Sequence, residues 1–161
     1  MLGQKVLLNQ MPIAIKDSKI DISSEETTKE LAKDLTHYLK GGEIVYLYGE
    51  MGVGKTTFVR YLINQFQKNK KLHITEVTSP TFNLLNEYDI NDLVIKHYDL
   101  FRLKDESEIK NLDLFENNQN TITLIEWPQL ISKNKSIKTI DLIFSYENEL
   151  NNRSVKIEGL N

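Results

Sequence analysis

The stretch that decides the fold covers residues 43–57 and reads Glu-Ile-Val-Tyr-Leu-Tyr-Gly-Glu-Met-Gly-Val-Gly-Lys-Thr-Thr. Residues 43–48 are nearly all apolar and rich in β-forming types, which predicts a strand buried on both faces. Residues 49–56 then fit the pattern G-x-x-x-x-G-K-[ST] at every fixed position. Apolar residues at helical spacing follow and predict a helix that ends near residues 68–71. The order strand, glycine-rich loop, helix predicts a phosphate-binding loop.

The residue types in this loop suit the phosphates of a nucleotide. Glycines let successive backbone N–H groups converge on one phosphate, and the following helix adds the partial positive charge of its N-terminus. We expect Lys55 to reach the β- and γ-phosphates and the Thr56 hydroxyl to ligate Mg²⁺. A chance match in a chain of this length has a probability on the order of one in a few hundred. The loop therefore predicts nucleotide binding.

The composition excludes several other classes of protein. A length of 161 residues fits one domain spanning residues 1–161, and the absence of cysteine excludes a disulfide scaffold and a thiolate zinc site. The apolar runs are far shorter than the ~20 residues of a membrane helix, and the N-terminus lacks the pattern of a signal peptide. A net charge of −3 gives no overall attraction to nucleic acid. We expect a cytoplasmic protein without a membrane partner.

The remaining periodicities predict an α/β fold. A helix is expected to start at a capping box formed by Ser23 and Glu26 and to stop at Lys40-Gly41-Gly42. Beyond residue 71 the apolar period becomes two, which predicts strands at 82–88, 93–98, 121–125, 137–144 and 154–158. A short helix is expected between residues 106 and 116. These elements predict a P-loop NTPase-like three-layer sandwich with a mixed, partly parallel sheet and a C-terminal β-hairpin.

The choice of nucleotide and reaction rests on what the sequence lacks. Neither Asn/Thr-Lys-x-Asp nor Asp-x-x-Gly, the usual signatures of guanine-specific proteins with this loop, is present, so ATP is favoured. A small kinase is the first competing interpretation. Such enzymes use several arginines and a lid with glycine hinges, whereas this chain has three arginines and no glycine between Gly54 and Gly159. The kinase interpretation is therefore disfavoured and kept as an alternative.

Two carboxylates follow predicted strands. Asp99 ends the strand at 93–98, and Glu126 ends the strand at 121–125. In proteins with a phosphate-binding loop, a carboxylate at such a position holds Mg²⁺ or orients the attacking water. The sequence leaves open which of the two has which role.

Four segments occur in a fixed order along the chain. They are residues 49–57, Thr78-Ser79-Pro80-Thr81-Phe82, His97-Tyr98-Asp99-Leu100-Phe101-Arg102-Leu103 and Leu124-Ile125-Glu126-Trp127-Pro128. Together they resemble the TsaE family, bacterial P-loop ATPases required for the formation of threonylcarbamoyladenosine in tRNA. The loop alone is generic to many ATPases, whereas the other three segments in combination are specific. The resemblance covers residues from about 23 to 130.

The resemblance implies ATP binding and slow hydrolysis within a complex with TsaD and TsaB. That complex transfers threonylcarbamoyl to the adenosine next to the anticodon, and ATP hydrolysis would reset it between turnovers. The chain would meet tRNA only through the complex. A second hypothesis stays open at this point: ATP would stabilise an assembly-competent conformation, and hydrolysis would be incidental.

The resemblance also assigns roles to residues. The expected ATP contacts are Thr28, Gly49, Gly52, Val53, Gly54, Lys55, Thr56 and Thr57. The expected catalytic residues are Lys55, Asp99 and Glu126, and the expected Mg²⁺ ligands are Thr56, Asp99 and Glu126. The expected switch or partner residues are Ser79, Pro80, Thr81, Arg102 and Trp127.

Several of these positions have a competing structural interpretation. Residues 79–81 could form a plain turn, although their hydroxyls favour a switch that senses the γ-phosphate. Arg102 could form an ordinary ion pair, and Trp127 could serve core packing. We expect His97 to face away from Asp99 and to be either a packed core histidine or a catalytic residue.

Overall fold

A computed structural model of the chain describes residues 18–80, 84–116, 119–132, 137–149 and 151–160. These residues form three helices, which are α1 (Glu25–Leu35), α2 (Lys55–Asn69) and α3 (Glu106–Ile109). They also form seven strands, which are β1 (Lys19–Asp21), β2 (Ile44–Tyr48), β3 (Leu85–Ile90), β4 (Leu93–Asp99), β5 (Thr121–Glu126), β6 (Thr139–Tyr146) and β7 (Arg153–Glu158).

The strands form one mixed sheet in the order β1-β7-β6-β2-β5-β4-β3. Strand β2 runs parallel to β5 and β6, and β4 runs parallel to β5. The outer strands β3, β7 and β1 pair antiparallel with their neighbours. The predicted α/β class, the partly parallel sheet and the C-terminal hairpin are confirmed. Because parallel strands end at the same edge, the carboxyl ends of β2, β4 and β5 meet there.

Both faces of the sheet are covered, as the apolar sequence of β2 predicts. Val45 and Leu47 belong to a core formed with α1 and α2, and Ile44 and Tyr46 belong to a second core on the opposite face. The second core is closed by α3 and the surrounding loops rather than by long helices. In the described part of the chain, no helix has the length and apolar character needed to cross a membrane.

The start and end of α1 differ from the sequence prediction. The N-cap residue is Ser24, and the predicted capping residue Ser23 instead accepts a hydrogen bond from the Arg153 N–H at 2.9 Å. The helix ends at Leu35 rather than near Lys40. Leu39 follows the helix and also packs into the core, at 2 % exposure. Because it stands at helical spacing from Leu35, it makes the predicted helix longer than the observed one.

The strands also show where local patterns lose precision. The sequence does not predict strand β1, because three residues are too few to display a period of two. The strand is defined by its pairing with β7. Strand β6 begins two residues later than predicted, at Thr139, and ends at Tyr146. Strand β3 is observed from Leu85, and residues 82 and 83 of the predicted strand lie outside the described residues.

The loop between α1 and β2 offers a matched pair of glycines for a stability test. Gly41 and Gly42 have φ of +124° and +95°, but an added Cβ would lie 1.8 Å from the Gln119 carbonyl oxygen at Gly41 and meet nothing within 4 Å at Gly42. We expect Gly42→Ala to lower the free energy of unfolding by about 1 kcal/mol through backbone strain. Gly41→Ala should cost roughly 1–3 kcal/mol more through overpacking. Urea unfolding measures both, and equal losses would contradict the close approach to Gln119.

Candidate functional site

The predicted phosphate-binding loop connects β2 to α2 at the carboxyl edge of the sheet. Gly49, Gly52 and Gly54 have φ of +146°, +79° and +116°, which explains why glycine occupies these positions. At Gly49 an added Cβ would also lie 2.9 Å from atoms of Phe144 and Val53. Gly54 is the N-cap of α2, so the free N–H groups of the first helical turn open toward the loop. The loop therefore has the geometry of an anion cradle.

A cavity of about 360 Å³ lies against this loop. Its wall includes five of the predicted ATP contacts: Gly52, Gly54, Lys55, Thr56 and Thr57. Four further predicted site residues come from other segments: Ser79, Asp99, Glu126 and Trp127. The fold thus brings together most of the residues that the sequence selected, over a volume within the usual range for ligand sites.

Glu126 lies at the centre of this group. The residue is only 1 % exposed, and the Thr56 hydroxyl donates to its carboxylate, with Oγ1 2.9 Å from Oε1. The hydroxyl of Ser79 lies 3.2 Å from the same Thr56 oxygen. Since the single proton of Thr56 is directed at Glu126, Ser79 is the donor in this contact. The start of α2, the end of β5 and the segment before residue 80 are thereby linked.

His97 holds the other side of the same carboxylate, and our expectation that it faces away from Asp99 is wrong. Its Nε2 lies 2.7 Å from Glu126 Oε2, and its side chain is fully buried. Residues 97 and 99 are two apart in a strand, so period two places them on the same face; this signal was present in the sequence. Within the described residues, His97 Nδ1 has no hydrogen-bond partner, so Glu126 is the contact that orients the imidazole.

Asp99 lies directly opposite Glu126 in the register of β4 and β5. Its Oδ1 accepts a hydrogen bond of 3.0 Å from the Phe101 N–H. Burial raises the pKa of Asp99, the Phe101 bond acts against this shift, and the neighbouring Glu126 adds to it. Two carboxylates therefore meet at adjacent strand ends, where they can act on one metal ion or one water.

Lys55 points its ammonium group into the cavity from the first residue of α2. Its Nζ donates to the Gly49 carbonyl and lies 3.6 Å from the centre of the Trp127 ring. Burial lowers the pKa of Lys55, while attraction by Glu126 and Asp99 opposes the shift. Trp127 has φ of +57°, an uncommon conformation for a bulky residue and one that marks functional sites.

Other predicted site residues lie apart from the cavity wall. Thr28 is buried in α1, and Val53 is buried in the core behind the loop. Arg102 is exposed and does not line the cavity, and Pro80 is buried. Thr81 lies outside the described residues.

Arg153 also lines the cavity, although it lies in none of the sequence motifs that predict the site. It is the first residue of β7, and its Nη1 lies 3.5 Å from the position of an added Cβ at Gly54. The sequence predicted the hairpin to which it belongs. The contact depends on β6 lying beside β2, which local patterns do not reveal.

The oxygen donors at the site fit Mg²⁺ that is bound together with a nucleotide. Across the described ranges, no group of three histidine or carboxylate side chains could hold a metal ion unaided. The Thr56 hydroxyl and the Glu126 carboxylate nevertheless converge, and oxygen ligands of these types are the ones Mg²⁺ takes. Mg²⁺ commonly completes its shell with water and substrate phosphates, which the adjacent loop is shaped to bind.

Comparison with known proteins identifies the family. The family model described as "Threonylcarbamoyl adenosine biosynthesis protein TsaE" matches residues 22–155. The chain belongs to the TsaE family. This result confirms the resemblance drawn from the four sequence segments, and the family name refers to threonylcarbamoyladenosine biosynthesis.

Individual relatives agree with this assignment. The TsaE protein of Rickettsia conorii is 44 % identical over 110 residues, which cover 68 % of this chain and 61 % of the relative. The TsaE protein of Bacillus subtilis is 36 % identical over 120 residues, or 74 % and 72 % of the two chains. The crystal structure of Bacillus subtilis YdiB has the same fold, with a TM-score of 0.63 and 22 % identity over 89 % of this chain and 86 % of that chain.

The pair formed by His97 and Glu126 leads to a stability prediction. Removing the imidazole leaves a buried carboxylate with one hydrogen bond fewer, so we expect His97→Ala to lower the free energy of unfolding by about 1–3 kcal/mol. His73→Ala, at an exposed histidine, is the matched control and should leave stability nearly unchanged. Chemical denaturation measures both variants. A similarly small loss of stability in both variants would show that the buried Glu126 carboxylate does not require the hydrogen bond to His97.

For the opposed carboxylates Asp99 and Glu126, we expect a substitution that raises the free energy of unfolding. Asp99→Asn removes a like-charge contact and keeps an oxygen to accept the Phe101 N–H, so we expect stability at neutral pH to rise by about 0.5 kcal/mol. Burial raises the pKa of Asp99 in the folded state, so the wild type regains stability when this carboxyl is protonated. The extra stability of Asp99→Asn over the wild type should therefore disappear as the pH falls through the pKa of Asp99 in the folded state. Urea unfolding at neutral and acidic pH measures it; a less stable variant at neutral pH would contradict the prediction.

Proposed function

We propose that the chain binds ATP with Mg²⁺ and hydrolyses it slowly, as a cytoplasmic component of the complex with TsaB and TsaD that forms N6-threonylcarbamoyladenosine in tRNA. The observation that carries this proposal is the hydrogen bond of 2.9 Å between Thr56 and Glu126 beside the glycine loop. The curated relatives are named tRNA threonylcarbamoyladenosine biosynthesis protein TsaE, which supports the pathway. The matched segment spans about three-fifths (61 %) of the Rickettsia conorii relative, so partners and activity are both part of the proposal.

The side chains support specific tasks in this reaction. The N–H groups of the loop and of the first turn of α2 bind the phosphates, and Lys55 turns from the Gly49 carbonyl to the β- and γ-phosphates. Thr56 and Glu126 would hold Mg²⁺, which when bound would offset negative charge on the phosphates. Asp99, whose pKa burial raises, orients the attacking water. His97 keeps the Glu126 carboxylate turned toward Thr56.

Ser79 is the natural sensor of the γ-phosphate in this arrangement. Its hydroxyl donates to Thr56, so a nucleotide that recruits Thr56 to a metal ion also changes the contact of Ser79. The following Pro80 is buried, which ties the segment to the body of the protein. A change in the contacts of Thr56 would thus be transmitted through Ser79 to Pro80. Any effect on tRNA would pass through the complex, since the chain is not proposed to bind tRNA itself.

The rim of the cavity supports a protein partner at this face. Met51 and Phe101 line the cavity and are 64 % and 51 % exposed. The Phe101 ring lies against Trp127, with ring centres 4.8 Å apart. Large exposed apolar side chains grouped at a site commonly mark a protein interface. In this proposal a subunit of the complex covers the rim and completes the ATP site.

A Glu126→Gln variant separates regulation by hydrolysis from a nucleotide-gated assembly module. We expect the purified complex with this variant to bind ATP and complete a first round of tRNA modification but to fail in later rounds, because hydrolysis is lost. Modified tRNA per complex and released phosphate are the two measurements. Glu76→Gln, at an exposed glutamate, is the matched control and should turn over normally. Full multiple turnover without hydrolysis would overturn the ATPase proposal in favour of the assembly module.

A further inference from the structure

Arg153 differs from the other two arginines of the chain in its surroundings. Arg60 forms an ion pair with Glu25 at 3.5 Å, and Arg102 is exposed away from the cavity. Arg153 lines the cavity, and among the described residues no carboxylate lies within ion-pair distance of its guanidinium. Lysines of the neighbouring strand β1 and of β7 itself do have partners, at Lys19–Glu147 and Lys156–Glu158. Within the described part of the chain, the Arg153 guanidinium therefore has no carboxylate partner.

The backbone of Arg153 is held on both sides. Its N–H donates to the Ser23 hydroxyl at 2.9 Å, and its carbonyl accepts the Ile22 N–H at 2.9 Å. In the hairpin it pairs across the strands with Tyr146. The side chain thus starts from a fixed point, which lowers the entropy cost of holding a ligand.

The hairpin places this residue against the phosphate-binding loop. The Tyr146 hydroxyl lies 3.3 Å from the position of an added Cβ at Gly52, and Arg153 Nη1 lies 3.5 Å from the equivalent position at Gly54. Lys55 Nζ reaches the same cavity from α2, beside Gly49 and Trp127. Two cations on separate elements therefore face one cavity.

The charge balance of the cavity wall also supports a role for Arg153 as a second cation. Lys55 and Arg153 offset the two carboxylates Asp99 and Glu126, which line the same space. Without Arg153 the wall would carry a net negative charge and would repel an anionic nucleotide. The planar guanidinium can bind phosphate oxygens through two parallel hydrogen bonds, which an ammonium group cannot do.

We propose that Arg153 binds phosphate oxygens of the bound nucleotide, so that the C-terminal hairpin forms part of the nucleotide site. This inference rests on the proposed ATP binding. Because the side chain already faces the loop from an anchored strand, the contact forms in the ground state. It therefore contributes to the affinity for ADP as well as for ATP.

Titration calorimetry with ATP and with ADP, each with Mg²⁺, tests the contact. We expect Arg153→Gln to weaken both nucleotides roughly 10- to 100-fold, the effect of losing a hydrogen bond to a charged group. Arg153→Lys should recover part of the affinity, because it restores the charge without the two-pronged geometry. Arg60→Gln, at an exposed arginine that does not line the cavity, is the matched control and should bind as the wild type does. Lys55→Ala supplies the reference for lost binding.

The outcomes separate this inference from the proposed function. A wild type that fails to bind ATP contradicts the proposed function itself. If the wild type binds and Arg153→Gln binds both nucleotides equally well, only the Arg153 contact is overturned, even if hydrolysis becomes slower. Thermal unfolding checks that the variant is folded. Should it not fold, hydrogen exchange of wild-type peptides containing Arg153 decides: slower exchange with ADP supports the contact, and unchanged exchange overturns it.

Discussion

The buried carboxylate of Glu126 is the constraint on which the rest of the site depends. A charged group that is 1 % exposed is tolerated only when other groups satisfy it. Here Thr56 at the start of α2 and His97 in β4 both contact it. The carboxylate therefore fixes how the phosphate-binding loop sits relative to β4 and β5. The same two contacts hold the carboxylate in one orientation within the protein itself.

The site contains several features that reduce the stability of the unliganded fold. Asp99 and Glu126 face each other with like charges, Lys55 is buried at 4 % exposure, and Trp127 has a left-handed backbone. Each is unfavourable in isolation, and under the proposed function each would be offset when phosphates and a cation enter the cavity. Features that a core avoids are commonly found at functional sites.

The C-terminal hairpin is more than a closing element of the sheet. Its strand β6 lies beside β2, so its Tyr146–Arg153 pair meets the loop that β2 leads into. The hydrogen bond from Arg153 to Ser23 also connects the hairpin to the start of α1. A ligand at the loop can therefore affect the C-terminal hairpin and the start of α1 through direct contacts.

The sequence by itself determined the strand–loop–helix unit, the α/β class and the two carboxylates at strand ends, because periodicity and glycine spacing are local properties. It also contained the signal that His97 and Asp99 share a face. Only the tertiary structure decided that Glu126 meets Thr56, a contact between residues 70 positions apart, and that Arg153 enters the cavity. Strand order and register bring these groups together. Both are set by packing summed over the whole sheet, which no single segment encodes.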